Sequence, residues 1–419
     1  MESIKDRVAI VGMGCCKFGE RWDAGGEDML VESCYEAFED AGIEPKDIQA
    51  AWFGTTRFST GKPLAHALKL EYLPITRCEN ACATASDAMM NGCYAVAAGL
   101  YDLVLVAGVD KLKDTGVGFL GGGVGGRGVE EEYHMWDNAP VGGRGMGGTG
   151  VQAGIPPPGQ FALAANRYFH QYGLSYEEGK RTLAKISVKN HHNGTFNRKA
   201  HFQREITIEQ AMNAPLQAHP LGLFDCCANS DGSAAAIICR PDMAKSFKED
   251  YILCKGFGLA TGGRQGQLRD YYDFTHFDET VSASKQAYEA AGITNPREEV
   301  DLAEVHDCFT ITELIIYEDM LWSQRGKAKE DIDSGFFELH GGLAVNPDGG
   351  LKCFGHPIGA SGIRMIYEVY KQLRGKADDV LVPGKPSRQI KNPRIGVTQN
   401  LGGSPGSFTC GISIWGCRD

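Results

Sequence analysis

The feature that most restricts what this chain can fold into is an internal repeat. YEAFEDAGIEPKDIQAAWFG at residues 35–54 and YEAAGITNPREEVDLAEVH at 288–306 share a helical tail ending in Ala-Gly-Ile, a proline-containing acidic turn and a short apolar strand. Gly42 and Gly292 stand where a helix ending in small residues takes a left-handed cap, and Pro45 and Pro296 bar it from continuing. A second pair follows. NACATASDAMMNGCYAVAAG (80–99) and GHPIGASGIRMIYEVYKQLRG (355–375) each open on a tight small-residue turn, run as a helix and stop at glycine. Strand-like runs come next, YDLVLVAGV and PRIGVTQNLGG. Helices this rich in small residues and Met let other backbones come close, which predicts two central, buried helices.

Strands alternating with helices predict sheets covered on both faces. Two such halves give a duplicated five-layered α/β/α/β/α fold. The expected divisions are 1–115 for the first part of the N-terminal half, 116–220 for an inserted loop domain, 221–250 for the strand region closing that half, and 251–419 for the C-terminal half. The loop domain is suggested by GVGFLGGGVGGRG, GGRGMGGTG and IPPPG between 116 and 159, where glycine and proline are too dense for helix or strand.

With 419 residues, 42% apolar and 23% charged, the chain is able to bury a large core. A net charge of −11 argues against nucleic acid or an anionic membrane face as a partner. No run reaches the ~18 apolar residues of a membrane span, and MESIKDRVAIVGMGCCKFG lacks the shape of a secretory signal. A cytoplasmic protein is expected. There its 14 cysteines stay reduced, and without a C-x-x-C pair no metal site is expected.

Two glycine runs invite a dinucleotide reading and fail it. In VAIVGMG the third glycine position is Lys17, and Gly121, Gly123 and Gly126 have the spacing but neither follow a clear strand nor open a helix.

Three places carry chemistry. Cys82, at or beside a helix start, would gain thiolate character from unpaired amides and the helix dipole; the alternative is a packed core cysteine. His356 lies in GHPIGASG, pinned between Gly355 and Pro357 with no bulk after it, so a substrate could reach the imidazole; a turn-stabilising histidine is the alternative. Thr310 and Glu313 fit a capping box, placing His306, Asp307 and Cys308 in a strand-to-helix turn. If that turn is extended, His306 and Cys308 share one face and Asp307 points away into a structural role.

Together these motifs resemble the thiolase superfamily across nearly the whole chain. Asn80–Ala85 is similar to its nucleophile motif, SDGSAAAI (230–237) to the strand closing its first half, and Gly355–Arg364 to its second histidine motif. Most thiolases carry a second cysteine in a C-x-G-G-G turn; here NLGGS puts Asn400 in that position, and Cys410 comes too late. HDCF (306–309) instead resembles the sterol-carrier-type and archaeal thiolases, in which the acid/base cysteine has moved into this motif.

The resemblance implies a two-step Claisen exchange on a 3-oxoacyl-CoA. Cys82, activated by His356, is the nucleophile, and Cys308 is the acid/base. His306 and His356 stabilise one oxyanion, and the amides of Cys82 and Gly403 the other. Coenzyme A is a co-substrate, with no permanently bound cofactor or metal. The implied assembly is a homodimer core, with a small zinc-ribbon/OB-fold partner in some relatives. For CoA phosphates the basic run from Lys189 to Arg204 offers Lys189, Arg198, Lys199 and Arg204, with a solvated face as the alternative. Arg57, Arg127 and Arg144 are candidates for a carboxylated acyl chain. Thr84 and Ala85 depart from the family's C-A-S-G and are expected to reshape the acyl pocket. A decarboxylating ketosynthase, a catalytically silent scaffold subunit and a redox enzyme are the rival readings.

Overall fold

Among the described residues, five strands in each half set the frame. The first half holds β1 (Ala9–Cys15), β2 (Ala50–Gly54), β3 (Ile75–Cys78), β4 (Leu103–Asp110) and β5 (Gly232–Cys239). The second holds β6 (Ile252–Thr261), β7 (Leu302–Val305), β8 (Ala344–Val345), β9 (Ile395–Ser404) and β10 (Ser407–Gly416). The computed structural model describes residues 3–113, 155–268 and 272–418.

The order is β3-β2-β4-β5-β1 in one half and β8-β7-β9-β10-β6 in the other, the same strand for strand. Directions agree as well. β2 runs parallel to β3 and β4, and β5 antiparallel to β4 and β1. Likewise β7 is parallel to β8 and β9, and β10 antiparallel to β9 and β6. β1 and β6 join the halves through only two residue pairs, Ala9 with Leu253 and Ile10 with Ile252.

The principal helices are α1 (Gly26–Ala41), α2 (Thr84–Ala97), α3 (Pro157–Gln171), α4 (Tyr176–Gly194), α5 (Asp278–Ala291), α6 (Thr310–Asp319) and α7 (Ser361–Leu373). α1 covers β1 and β5, and α5 covers β6 and β10. Both end as predicted, at Gly42 (φ 71°) and Gly292 (φ 78°). α2 and α7 pack on each other and on strands of both halves, so they form the central layer of the five.

The outer layers press close because β1 and β6 present glycine. A Cβ at Gly12 or Gly14 would stand 2.3 or 2.0 Å from carbonyl oxygens of α1; at Gly256 or Gly258 it would stand 2.5 or 1.9 Å from those of α5. VGMG is thus half of a repeated contact between helix and strand, which accounts for its glycines without a nucleotide.

α7 is buried on every side, as a central helix must be, and its polar groups are matched accordingly. Arg364 Nη1 donates to Glu304 (2.5 Å) and Asp348 (2.7 Å), and Glu368 accepts from Arg388 (2.5 Å). The first of these ties the GHPIGASGIR helix to β7, the strand that ends just before His306.

One expectation needs correction. α6 does begin at Thr310, but Phe309 is its N-cap and no capping box forms. Burial draws the polar groups elsewhere: Thr310 donates to Asp225 (2.9 Å), while Glu313 accepts from Lys189 and Asn190. Where it is described, the segment expected as a loop domain at 116–220 carries α3, α4 and a small hairpin (Leu216–Ala218, Leu221–Gly222). Gly121, Gly123, Gly126, Arg127 and Arg144 lie outside the described residues. Among those described, no helix is long and apolar enough to cross a membrane.

Candidate active site

The turn carrying Cys82 is built by its neighbours. Ala81 takes a positive φ of 48°, uncommon for a residue with a side chain. Thr84 fixes it, accepting from the Asn80 amide (2.9 Å) and donating to the Ala81 carbonyl (2.5 Å). Thr84 therefore shapes the nucleophile turn from within. β9 passes directly against this turn, where a Cβ at Gly402 would stand 2.1 Å from the Asn80 carbonyl oxygen.

His356 is held by Ser361, the first residue of α7. Ser361 Oγ donates to the Pro357 carbonyl (2.8 Å), so at 2.8 Å from His356 Nδ1 it accepts that nitrogen's proton. The bond fixes the tautomer, leaving the basic lone pair on Nε2.

His306 and Cys308 follow β7 as expected. Asp307 turns the other way, accepting from the Leu351 amide (2.6 Å) and Asn190 (2.8 Å) in a buried network with Glu313. The His306 amide donates to Gln399 (3.2 Å), and its ring Nδ1 lies 3.1 Å from Asn400 Nδ2.

These segments, far apart in sequence, converge. The Cys82 sulfur and ring nitrogens of His306 and His356 all lie within 4.8 Å of one another, the two rings nearly perpendicular at 84°. Cys82 is 8% exposed and both histidines 1%, so all three groups are buried. Cys308 lies close enough to Cys82 and Cys227 for their charges to interact, and burial with those sulfurs pushes its thiol well up. Chemically, the trio offers a nucleophile flanked by two imidazoles, or a ligand set for a soft divalent ion.

Electrostatics correct one expectation. Cys82 is pushed up to about 12, first by burial and then by Asp110 and Glu79. The helix starts two residues later, at Thr84, and its dipole does not outweigh desolvation. Burial also lowers both histidines, His356 to about 3 with help from Arg364, and His306 well below the usual range with help from His356. The resting site holds a neutral thiol and neutral imidazoles.

Residues 260–412 match the family model "Thiolase C-terminal domain-like". The acetyl-CoA acetyltransferase of Methanothermobacter thermautotrophicus is 36% identical, over 96% of this chain and 97% of that one. This chain belongs to the thiolase family. Its activity is of the acyltransferase, thiolase type. Benzoylsuccinyl-CoA thiolase subunit BbsB of Thauera aromatica is 30% identical, over 96% of each chain. Among solved structures, the Ltp2-ChsH2(DUF35) aldolase shares the fold with a TM-score of 0.80, at 24% identity over 99% of each chain.

The thiolase departs from the expected CoA patch. Lys189 is buried in an ion pair with Glu313, and Lys199 turns to Glu36 (2.5 Å) and the Cys15 carbonyl (2.5 Å). Burial and pairing remove both from an exposed phosphate-binding face. Arg198 and Arg204 remain exposed. Gly403, at φ 118°, follows the residue that abuts the Cys82 turn.

Sequence reasoning missed three supporting residues of this thiolase. Ser361 was passed over as a small residue in GASG, although a hydroxyl five residues from a histidine at a helix start is a usable signal. Asp110 accepts from Thr55, Thr56 and the Gly359 amide, bracing the turn that carries His356; nothing in β4 announces it. Ala81 gave no warning of its positive φ.

Proposed function

We propose that this thiolase exchanges acyl groups between coenzyme A and a 3-oxoacyl-CoA through an acyl-Cys82 intermediate. The convergence of Cys82 with His306 and His356 carries the proposal. As the carbonyl enters, the Cys82 proton passes to His356 Nε2 and the sulfur attacks C3. The C2–C3 bond breaks, releasing an enolate that Cys308 protonates at C2. Coenzyme A then gives its thiol proton to the Cys308 thiolate and attacks the thioester. Cys82 leaves as a thiolate and recovers its proton from His356. His306 and His356 serve the enolate oxygen, and the Cys82 and Gly403 amides the tetrahedral oxyanion. Neutral resting groups suit this, because charge forms only when the substrate's oxygen is there to receive it.

The substrate reading rests on the relatives. A short 3-oxoacyl-CoA follows from likeness to an acetyl-CoA acetyltransferase; cleavage of benzoylsuccinyl-CoA to benzoyl-CoA and succinyl-CoA follows from likeness to BbsB. The second needs a cation for the free carboxylate, and Arg57, half-buried in the loop after β2, is its described candidate. Arg198 and Arg204 remain as phosphate contacts. A homodimer core in the cytoplasm completes the reading. A small zinc-ribbon/OB-fold partner is favoured by the DUF35 component in the name of the structural neighbour.

Mass spectrometry after mixing with acetoacetyl-CoA or benzoylsuccinyl-CoA tests the chemistry. An acyl adduct on Cys82, absent in Cys82→Ala and discharged by coenzyme A, is expected. No adduct with either ester points to a silent scaffold, and condensation only with a malonyl thioester points to a ketosynthase.

A further inference from the structure

We infer that Asn400 sets the proton of His306: its side-chain amide donates to Nδ1, holding the imidazole as the Nε2–H tautomer, a neutral donor and not a second base. The geometry carries this. Asn400 Nδ2 lies 3.1 Å from His306 Nδ1 and 3.6 Å from the Met365 sulfur. A thioether only accepts, so turning the NH2 toward both gives each a donor. The reverse orientation would set Oδ1 against the sulfur. Because burial keeps His306 uncharged, the location of its one proton decides what the ring can do.

The pairing makes the two imidazoles complementary. Ser361 takes the Nδ1 proton of His356 and leaves a base; Asn400 gives a proton to Nδ1 of His306 and leaves a donor. Two donors could not deprotonate Cys82, and with two bases the ring that takes no proton from Cys82 would meet the enolate oxygen with a lone pair. Asn400 is thus a positioning residue that acts through His306. Its Oδ1 is buried without a partner among the described residues, which costs stability. An amide kept only for stability would be poorly chosen here.

The assignment of the proton stands apart from the proposed thiolase chemistry; the meaning of the donor rests on it. Long-range 1H–15N spectra of histidine-labelled wild-type protein read the tautomer directly, with His306→Asn assigning the signals. The expected pattern for His306 is an unprotonated Nδ1 and a protonated Nε2. Asn400→Asp should move the proton to Nδ1 and lower kcat about a hundredfold, the scale of one lost oxyanion donor, with KM and alkylation of Cys82 by iodoacetamide little changed. A wild-type His306 protonated at Nδ1, which needs no variant to fold, overturns the inference. So does Asn400→Asp with the wild-type tautomer or near-normal turnover. Absence of any acyl-Cys82 in the wild type would sink the thiolase chemistry while leaving the spectra to decide the tautomer.

Discussion

The two halves share strand order and strand directions, yet they divide the site unequally. In each, the loop after the second strand is gripped by a side chain of the fourth. In the first half, Thr55 and Thr56 after β2 donate to Asp110 at the end of β4 (2.8–3.0 Å). In the second, His306 after β7 meets Gln399 and Asn400 of β9 (3.1–3.2 Å). One grip is a carboxylate saturated by hydroxyls and amides; the other is an amide on an imidazole. Duplication supplied one mechanical joint twice, and only the second copy carries chemistry. The first half contributes its reactive group, Cys82, from the turn that precedes its central helix.

The contrast would break most visibly at the reactive groups. His356→Ala removes the proposed base and should slow acylation of Cys82 about 10^3-fold, as loss of a general base does. Stopped-flow release of the first acyl-CoA measures it, and a loss under tenfold would leave His356 without that role. At the first-half joint the effect should fall on folding instead. Asp110→Ala strands buried hydroxyls and the Gly359 amide, at about 3 kcal/mol. The urea midpoint should drop clearly, whereas Asn400→Ala should leave it nearly in place. Equal shifts in the two variants would mean that both joints are merely structural.

The duplication was legible because it rests on local chemistry: left-handed glycine caps at 42 and 292, prolines just beyond, small residues in the central helices. The family motifs single out Cys82, His306, Cys308 and His356, and the convergence of Cys82 with the two histidines is a consequence of the fold. Charge placement was not. Lys189 belongs to a run that looks like a surface patch, and only packing reveals that it lies on the buried face of α4 against Glu313. The Cys82 thiol was misjudged for a related reason: desolvation depends on what covers a residue, and a helix start read from sequence says nothing of the cover.

The electrostatic reading can be sharpened by pH. With Cys82 pushed up to about 12, its alkylation by iodoacetamide should rise about tenfold per unit from pH 6 to 10. A plateau reached near pH 7 would reveal a resting thiolate–imidazolium pair. Stability gives a second check. His356, lowered to about 3, binds its proton only in the unfolded chain between there and the ordinary 6.5. Its contribution is present above pH 6.5 and is lost as pH falls through that window. His356→Ala should flatten the acid decline by up to about 1.4 kcal/mol per unit.

The smallest effect tests whether the two imidazoles are set by opposite devices. Ser361→Ala removes the acceptor from His356 Nδ1 but leaves the ring, the turn held by Asp110 at Gly359, and the Arg364 anchor of α7. The imidazole is then free to place its one proton on either nitrogen, and only part of the population keeps a basic Nε2. Acylation should fall severalfold to about tenfold, the worth of one neutral hydrogen bond, with KM little changed. Threonine, which keeps the hydroxyl, should restore much of it. A loss as large as that of His356→Ala would mean that Ser361 holds the whole turn, and no loss would mean that the tautomer is fixed by something other than this hydroxyl.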